Sequence, residues 1–366
     1  MTKEYSLGNM PGDFIGKDVN REELKVLKLV SEMYGFKLNF TDYPHGGEHY
    51  ISTGELLNDR LIREFEDHDA MLLGAVGHPD LKKGEVERGI LLKIRFDMDQ
   101  YINLRPSKLY AGVDAPIKKL HPDLPDGYKL IVVREGTAGL YKGKGSIKIE
   151  NGYIVAQQIM EYTDREVDRV NRYAFNLARE KGGDNPSRVT LALKSNVLEY
   201  VSAGLWQPRF ESMAKNEFPD VQADYAHIDA MNGPWMVSNS PESLDIIVTG
   251  NMFGDIVTDL TASLFGGMGV GASACLNPSY NGTSMFEPLH GSSPKDYNKS
   301  VVSPIAAILS GALMLENIGE KEAAKTIETA VENVLASGRI PDLTIHSGVP
   351  TEKQTEMVLK EIMEAQ

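Results

Sequence analysis

The stretch DIIVTGNMFGDIVTD, residues 245–259, shows how this chain is built. An apolar run over 245–249 has the character of a buried strand, and a glycine-bearing turn leads from it into the helical segment GDIVTDLTASLF. Residues 130–133, followed by REGTAG, repeat the arrangement, with charged residues directly after the strand. Because ligands of open α/β sheets collect outside the carboxyl ends of strands, we expect chemistry at these two turns.

The first half of the chain alternates between strand and helix patterns. Strands are predicted at 4–7, 36–40 and 70–74, helices at 20–33 and near 55–66, and a glycine-punctuated loop at 8–18. Gly35 is placed to end the first helix. Strands separated by helices indicate an α/β protein with a largely parallel sheet, and the length of 366 residues favours two domains.

Composition excludes several classes of protein. A hydrophobic content of 42% supports a substantial core, and 38 basic against 52 acidic residues give a net charge of −14. That balance argues against nucleic-acid or anionic-membrane partners. The single cysteine, Cys275, fits a reducing compartment, and neither a signal peptide nor a membrane-spanning run is apparent, so we expect a cytoplasmic protein.

Acidic and basic side chains near the strand ends are candidate ligands. Asp255 and Asp259 lie four residues apart on a predicted helix, where their carboxylates could share Mg²⁺ or Mn²⁺. Ordinary placement of aspartate near a helix N-terminus is the alternative. Arg95, Arg105 and Arg134 could clamp a di- or tricarboxylate substrate, although surface solvation is the common fate of a single arginine.

Three further residues could take part in proton transfer or ligand binding. Lys194 follows an apolar run, and partial desolvation there would lower its pKa enough for a general base. Tyr141 could donate a proton, and His290 lies in a Gly/Ser loop suited to phosphate. A solvated lysine, a packed tyrosine and an ordinary turn remain the alternatives.

The order of these segments along the chain is more specific than any one of them. It resembles the decarboxylating β-hydroxyacid dehydrogenases of the isocitrate/isopropylmalate dehydrogenase family, and is most similar to the 3-isopropylmalate branch. The resemblance covers nearly the whole chain and is carried by LLKIRFDMDQYINLRP (91–106), VVREGTAGLYKG (132–143), LKSNVLEY (193–200), HIDA (227–230), IVTGNMFGDIVTD (247–259) and FEPLHGSSP (286–294).

The resemblance implies a mechanism and a role for each matched residue. The three arginines would hold the carboxylates of a malate-type substrate. Asp255 and Asp259 would bind Mg²⁺ or Mn²⁺ together with Asp229 from the other subunit of a homodimer with shared active sites. Lys194, also from that subunit, would assist removal of the hydroxyl proton as hydride leaves for the nicotinamide. After loss of CO₂, Tyr141 would protonate the enolate carbon.

The implied fold is a two-domain, non-Rossmann α/β fold with a mixed sheet flanked by helices. Residues 1–100 and 253–366 would form a large cofactor-binding domain, and 101–252 a small domain with the dimer interface. The cofactor would lie along the loop that contains Glu287, His290, Gly291, Ser292, Ser293, Pro294, Lys295, Asp296 and Ser303.

That cofactor loop also departs from the family pattern. NAD-using members usually carry aspartate at the position of Lys295, where it binds the adenosine ribose. A lysine there suits a 2′-phosphate, so the sequence favours NADP over NAD. Asp296 would oppose such a phosphate. Ser303 replaces the usual Asn or Asp before proline.

The substituent at C3 of the substrate is predicted from the helix before Arg95. Leu91 and Leu92 offer an apolar surface, which an isopropyl group fits best. Core packing of these leucines is the alternative. D-malate or tartrate, a phosphonate-bearing malate analogue of a secondary pathway, and a non-catalytic subunit on the same scaffold also stay open.

Overall fold

In the computed structural model, the positions of residues 2–183, 185–238, 241–279 and 282–364 are described. The strands are β1 Glu4–Gly12, β2 Lys37–Asp42, β3 Ala70–Ala75, β4 Ile102–Lys108, β5 Lys129–Glu135, β6 Gly145–Glu150, β7 Tyr153–Gln158, β8 Val189–Leu193, β9 Ala223–His227, β10 Ile246–Thr249, β11 Ala272–Asn277 and β12 Gly282–Pro288.

The α-helices are α1 Ile15–Tyr34, α2 Gly47–Thr53, α3 Asp59–Glu66, α4 Lys93–Asp97, α5 Pro116–Leu120, α6 Asp164–Gly182, α7 Gln207–Asn216, α8 Ile228–Ala230, α9 Asn251–Leu264, α10 Ile305–Asn317, α11 Lys321–Ala336 and α12 Thr351–Glu364. Wider π-helical turns cover Glu87–Leu92, Glu199–Trp206 and Met231–Ser238. No helix of the described ranges has the length and apolarity needed to cross a lipid bilayer.

The chain divides into two compact units. Unit 1 comprises residues 1–100, 106–128 and 262–366, and unit 2 comprises 101–105 and 129–261. The sequence assigned 106–128 to the small domain and 253–261 to the large one. The contacts instead place 106–128 in unit 1 and 253–261 in unit 2. One cause is α9, which starts in unit 2 and ends in unit 1.

Unit 1 contains a mixed sheet with the strand order β2-β1-β3-β12-β11. The pairs β1–β2, β1–β3 and β3–β12 are parallel, and β11–β12 is antiparallel. On one side of the sheet, buried side chains of β1, β3, β12 and the helix before Arg95 form a continuous apolar cluster that includes Met10, Met71, Ile90 and Met285. The predicted mixed sheet flanked by helices is confirmed.

The first strand and helix are longer than the sequence predicted. β1 extends into the predicted loop 8–18 as far as Gly12, because it pairs with β3 up to Ala75. Helix α1 begins at Ile15, directly after Phe14, whose φ of 47° is a strained conformation for a bulky side chain. Gly35 ends α1 in the left-handed conformation, as expected.

Unit 2 contains the strand order β4-β5-β10-β8-β9, with parallel pairs β5–β10, β10–β8 and β8–β9. The strands β8 and β10 are buried along their whole length, as expected for a parallel sheet covered on both faces. A separate antiparallel hairpin, β6–β7, completes this unit. The parallel arrangement brings the carboxyl ends of β5, β8 and β10 to one edge.

Candidate active site

Helix α9 carries two of the three predicted metal ligands, Asp255 and Asp259. It starts two residues after β10, so Asp255 and Asp259 follow the carboxyl end of a buried strand. Gly254 lets the helix approach β5 closely, because a Cβ at this position would lie 2.5 Å from Cγ of Arg134. The strand and helix predicted over 245–259 are therefore present, and α9 carries both aspartates.

The carboxylate of Asp255 is the centre of the site. Its Oδ1 accepts hydrogen bonds from Nη1 of Arg134 and, at 3.3 Å, from Nη1 of Arg105. Its Oδ2 accepts a bond of 2.8 Å from the hydroxyl of Tyr141. The guanidinium of Arg134 also lies 5.3 Å from the ring centre of Tyr141. Three residues that the sequence named separately, Arg105, Arg134 and Tyr141, thus meet at the Asp255 carboxylate.

Neighbouring charges shift the pKa values of this group. Although Asp259 is exposed at the surface, partial desolvation and the negative charge of Asp255 raise its pKa. Burial, followed by the hydrogen bond to Asp255 and its charge, raises the pKa of the Tyr141 hydroxyl. Tyr141 therefore keeps its proton at neutral pH, as a proton donor must.

Two uncharged residues that sequence reasoning missed hold the arginines in place. Oδ1 of Asn251 accepts bonds of 3.2 and 2.8 Å from Nε and Nη2 of Arg134, and Oγ1 of Thr258 accepts one of 2.6 Å from Arg105. Both lie on α9 beside the predicted aspartates, Asn251 at its first residue. A polar residue that opens a helix directly after a buried strand was the available signal.

Lys194 and Asp229 form a second, separate pair in unit 2. Nζ of Lys194 lies 2.7 Å from Oδ1 of Asp229, and this hydrogen bond lowers the pKa of the carboxyl group. Lys194 follows β8 directly. The backbone after it is held by the Tyr225 hydroxyl, which accepts a hydrogen bond from the amide of Ser195. The side chain of Asp229 is 64% exposed and that of Lys194 is 27% exposed, so the carboxylate is open to solvent while the lysine is partly buried.

The donor set fits a divalent cation only in part within one chain. Asp255 and Asp259 supply hard carboxylate oxygens, and their mutual repulsion is what a bound cation would relieve. Among the residues described, no three His, Cys, Asp or Glu side chains gather into a metal-binding group. Within the described residues of one chain, Asp255 and Asp259 are therefore the carboxylates offered to the ion, and further oxygen ligands would complete its coordination.

Unit 1 contains the remaining predicted substrate residues. Arg95 is buried and its Nη2 lies 2.6 Å from Oε1 of Glu287, so a predicted substrate ligand and a predicted cofactor ligand form a buried ion pair. Leu91 packs against the large apolar cluster of this unit. Leu92 is partly buried and ends the π-helical turn.

The predicted cofactor loop follows β12 in unit 1. Burial lowers the pKa of His290, and its Nε2 is buried without a hydrogen-bond partner in the described structure, so a polar ligand would complete it. Gly291 and Pro294 are exposed, whereas Ser292 and Ser303 are buried. The hydroxyl of Ser292 bonds to the carbonyl of Gly77 at 2.8 Å.

The two charged residues of this loop face different surroundings. Lys295 is exposed, and Asp296 is 7% exposed and accepts a bond of 2.6 Å from the hydroxyl of Ser293. The Asp296 carboxylate is thus held inside the loop.

Comparisons with known proteins agree on one family. The model of the isocitrate/isopropylmalate dehydrogenase family matches residues 6–362. The chain is 44% identical over 333 residues to 3-isopropylmalate dehydrogenase of Corynebacterium kroppenstedtii, a match that covers 90% of this chain and 94% of that protein. It is 43% identical over 331 residues to the 3-isopropylmalate dehydrogenase of Thermobifida fusca, with 90% of each protein covered.

A solved structure extends the match from sequence to fold. Isocitrate dehydrogenase from Methylococcus capsulatus superposes with a TM-score of 0.84 at 30% identity, covering 98% of this chain and 99% of that one. Sequence and fold agree over almost the full length, which confirms the resemblance carried by the ordered motifs. The chain belongs to the isocitrate/isopropylmalate dehydrogenase family.

Proposed function

We propose that this protein catalyses the metal-dependent oxidative decarboxylation of 3-isopropylmalate, with NAD(P) as the oxidant. The observation that carries the proposal is the meeting of Arg105, Arg134 and Tyr141 at Asp255. It supplies cationic anchors for a dicarboxylate, an oxygen ligand for a divalent cation, and a protonated hydroxyl. The names of the relatives, 3-isopropylmalate dehydrogenases, point to the same substrate.

The residues of unit 2 divide the chemistry among them. Arg105 and Arg134 bind and orient the substrate carboxylates. A bound Mg²⁺ or Mn²⁺ would supply Lewis-acid chemistry, and a bound nicotinamide would supply the hydride acceptor. Lys194 would take the hydroxyl proton, Asp229 would offer a further carboxylate to the cation, and Tyr141 would give a proton to the carbon that has lost CO₂.

The residues of unit 1 supply the other contacts of the proposal. Arg95 contributes a third cationic group, with Glu287 as its counter-ion. Leu92 forms the apolar wall for the isopropyl group, and Leu91 supports it from the apolar cluster. His290 and the serines after it bind the dinucleotide. We propose NADP as the preferred form, because the exposed Lys295 offers a positive charge to a 2′-phosphate.

We further propose that the active form is a homodimer built on unit 2. Ile147, Ile149, Tyr153 and Ile154 of the β6–β7 hairpin are 75–78% exposed, a large apolar surface for a soluble domain. Val197 and Tyr200, which follow Lys194, are 67% and 83% exposed. A second copy that covers these surfaces would bring its Lys194 and Asp229 to the neighbour's Asp255 and Asp259, where Asp229 would add a third carboxylate.

The proposal is tested by spectrophotometric assay of nicotinamide reduction. The assay compares 3-isopropylmalate, D-malate, tartrate, isocitrate and homoisocitrate, each with NAD or NADP and with Mg²⁺, Mn²⁺ or chelator. We expect metal-dependent turnover and CO₂ release with 3-isopropylmalate above all others. Preference for D-malate or tartrate would overturn the substrate assignment, and a folded dimer that reduces neither cofactor with any substrate would overturn the function.

A further inference from the structure

Glu135 is a buried carboxylate directly beside the proposed site, and it touches none of the proposed substrate or metal ligands in the contacts described above. It follows Arg134 at the end of β5, and its side chain is completely buried. Its Oε1 accepts hydrogen bonds from the amide and the hydroxyl of Thr137, at 2.8 and 2.9 Å. Its Oε2 accepts a bond of 2.8 Å from the amide of Ala138. Both oxygens are therefore used to hold the turn 136–138.

That turn connects the two groups that meet at Asp255. Arg134 precedes it, and the 3₁₀ turn Gly139–Lys142, which carries Tyr141, follows it. The carbonyl of Ala138 accepts a bond of 3.0 Å from Nδ2 of Asn251, whose Oδ1 in turn holds Arg134. The turn is thus tied to the same asparagine that orients the arginine.

The packing around the turn leaves it little freedom. Gly139 has a φ of 75°, and a Cβ there would lie 2.3 Å from the hydroxyl oxygen of Tyr162. That hydroxyl accepts a bond of 3.0 Å from the amide of Asn251. On the other side, Nη2 of Arg169 donates a 2.7 Å bond to Oγ1 of Thr137. The position of Tyr141 therefore depends on contacts that begin at Glu135.

We propose that Glu135 is a positioning residue, which fixes the turn 136–138 and thereby the distance between the Tyr141 hydroxyl and the reacting carbon. This inference rests on the proposed function of Tyr141 as proton donor. Only a carboxylate offers two acceptor oxygens here. In Glu135→Gln, an NH₂ group would face either the Thr137 or the Ala138 donors, and at least one bond would be lost.

The test is a double-mutant cycle with Tyr141→Phe, assayed with 3-isopropylmalate above about pH 8, where Glu135 is ionised and both of its oxygens accept hydrogen bonds. In the wild-type background, Glu135→Gln is expected to lower kcat by about 10- to 100-fold, because small misplacements of a catalytic group cost this much. In the Tyr141→Phe background the same change is expected to alter kcat by less than about twofold, since the group it positions is gone. Glu23→Gln is the matched control, because Glu23 is equally buried but lies on α1 in unit 1.

Amide hydrogen exchange gives a second readout that does not depend on turnover. Glu135→Gln is expected to speed exchange at Thr137 and Ala138 while the remaining amides of unit 2 keep their wild-type rates. An equal loss of kcat in both backgrounds, unchanged kcat, or faster exchange throughout unit 2 would overturn the proposal. If Glu135→Gln does not fold, Glu135→Asp and Thr137→Val are put through the same cycle.

The two proposals fail in different ways. A wild-type protein without turnover refutes the function, and hydrogen exchange still decides whether Glu135 holds the turn. Turnover by the wild type together with an additive cycle refutes only the positioning role.

Discussion

The hydroxyl of Tyr141 donates a hydrogen bond of 2.8 Å to Oδ2 of Asp255, so the proposed proton donor touches a proposed metal ligand. Replacement of Tyr141 by Phe keeps the ring and removes the proton. We expect kcat to fall by about 10²- to 10⁴-fold, the usual worth of a general acid. Steady-state kinetics and the Tm of the variant measure this. A wild-type kcat in Tyr141→Phe would exclude the tyrosine as donor.

Metal and substrate are expected to bind cooperatively. In the structure Asp255 is already engaged by Arg105 and Arg134, and a dianionic substrate would take over these arginines and free the carboxylate for the cation. We expect the Mn²⁺ affinity to rise at least about tenfold when 3-isopropylmalate is present, within the usual range of coupling between ligands. Titration calorimetry with and without substrate measures it. Equal affinities would contradict the exchange of partners.

The proposed NADP preference depends on the charge of Lys295. Lys295→Asp places a carboxylate beside the 2′-phosphate, and we expect the ratio of kcat/KM for NADP to that for NAD to fall by at least about tenfold, or about 1.4 kcal/mol. Lys299→Asp, an equal change of charge at another exposed lysine of the loop, is the control. A wild-type protein that prefers NAD, or the same shift in both variants, would contradict the role of Lys295.

The proposed shared site can be tested with two inactive variants. In a mixed dimer of Lys194→Ala and Asp255→Asn chains, one site would contain an intact lysine from one chain and an intact aspartate from the other. Random pairing makes half of the dimers mixed, so about a quarter of the wild-type activity is expected on co-expression with twofold symmetry. Each variant alone is the control. No recovery in verified mixed dimers would place both residues in the site of their own chain.

The buried carboxyl of Glu135 is expected to make the stability of unit 2 depend on pH. Burial raises its pKa from 4.5 to about 7, against the opposing hydrogen bonds and the charge of Arg169. The folded state binds the proton of Glu135 more tightly than the unfolded state does. The contribution of this proton to the free energy of unfolding is therefore complete below pH 4.5 and is lost as pH rises through 7. The difference between the folded and unfolded pKa values of Glu135 corresponds to about 3 kcal/mol in the free energy of unfolding.

The measurement compares wild type with Glu135→Gln. The free energy of unfolding of wild type minus that of the variant is expected to fall by about 3 kcal/mol across this pH range. Urea unfolding followed by tryptophan fluorescence reports on the correct unit, because Trp206 is fully buried in unit 2. A difference that stays constant with pH would show that Glu135 titrates alike in both states.

Much of the architecture and of the site could be read from the sequence, because short-range patterns determine them. The apolar strand before Asp255, the lysine directly after β8 and the left-handed stop at Gly35 are all local signals. The ordered motifs then identified the family. The start of α3 was less accurate, since its true cap is Asn58, which accepts bonds from the amides of Arg60 and Leu61.

Features that depend on distant segments were beyond the sequence. β1 extends to Gly12 only because a neighbouring strand pairs with it, and Glu287 meets Arg95 across 192 positions of the chain. The strained Phe14 packs on the rings of His78 and Tyr297, centred 5.0 and 5.8 Å away. Likewise, the role of Asn251 follows only from its hydrogen bonds to Arg134, which is distant in the sequence.

The β6–β7 hairpin has a consequence for when the protein becomes active. A two-stranded hairpin with outward isoleucines gains little stability by itself in water. If the active form is this dimer, a newly synthesised monomer would be inactive until it associated with a second copy of the chain. The rate at which activity appears would then be second order in chain concentration. High dilution would dissociate the dimer and abolish activity without unfolding either unit.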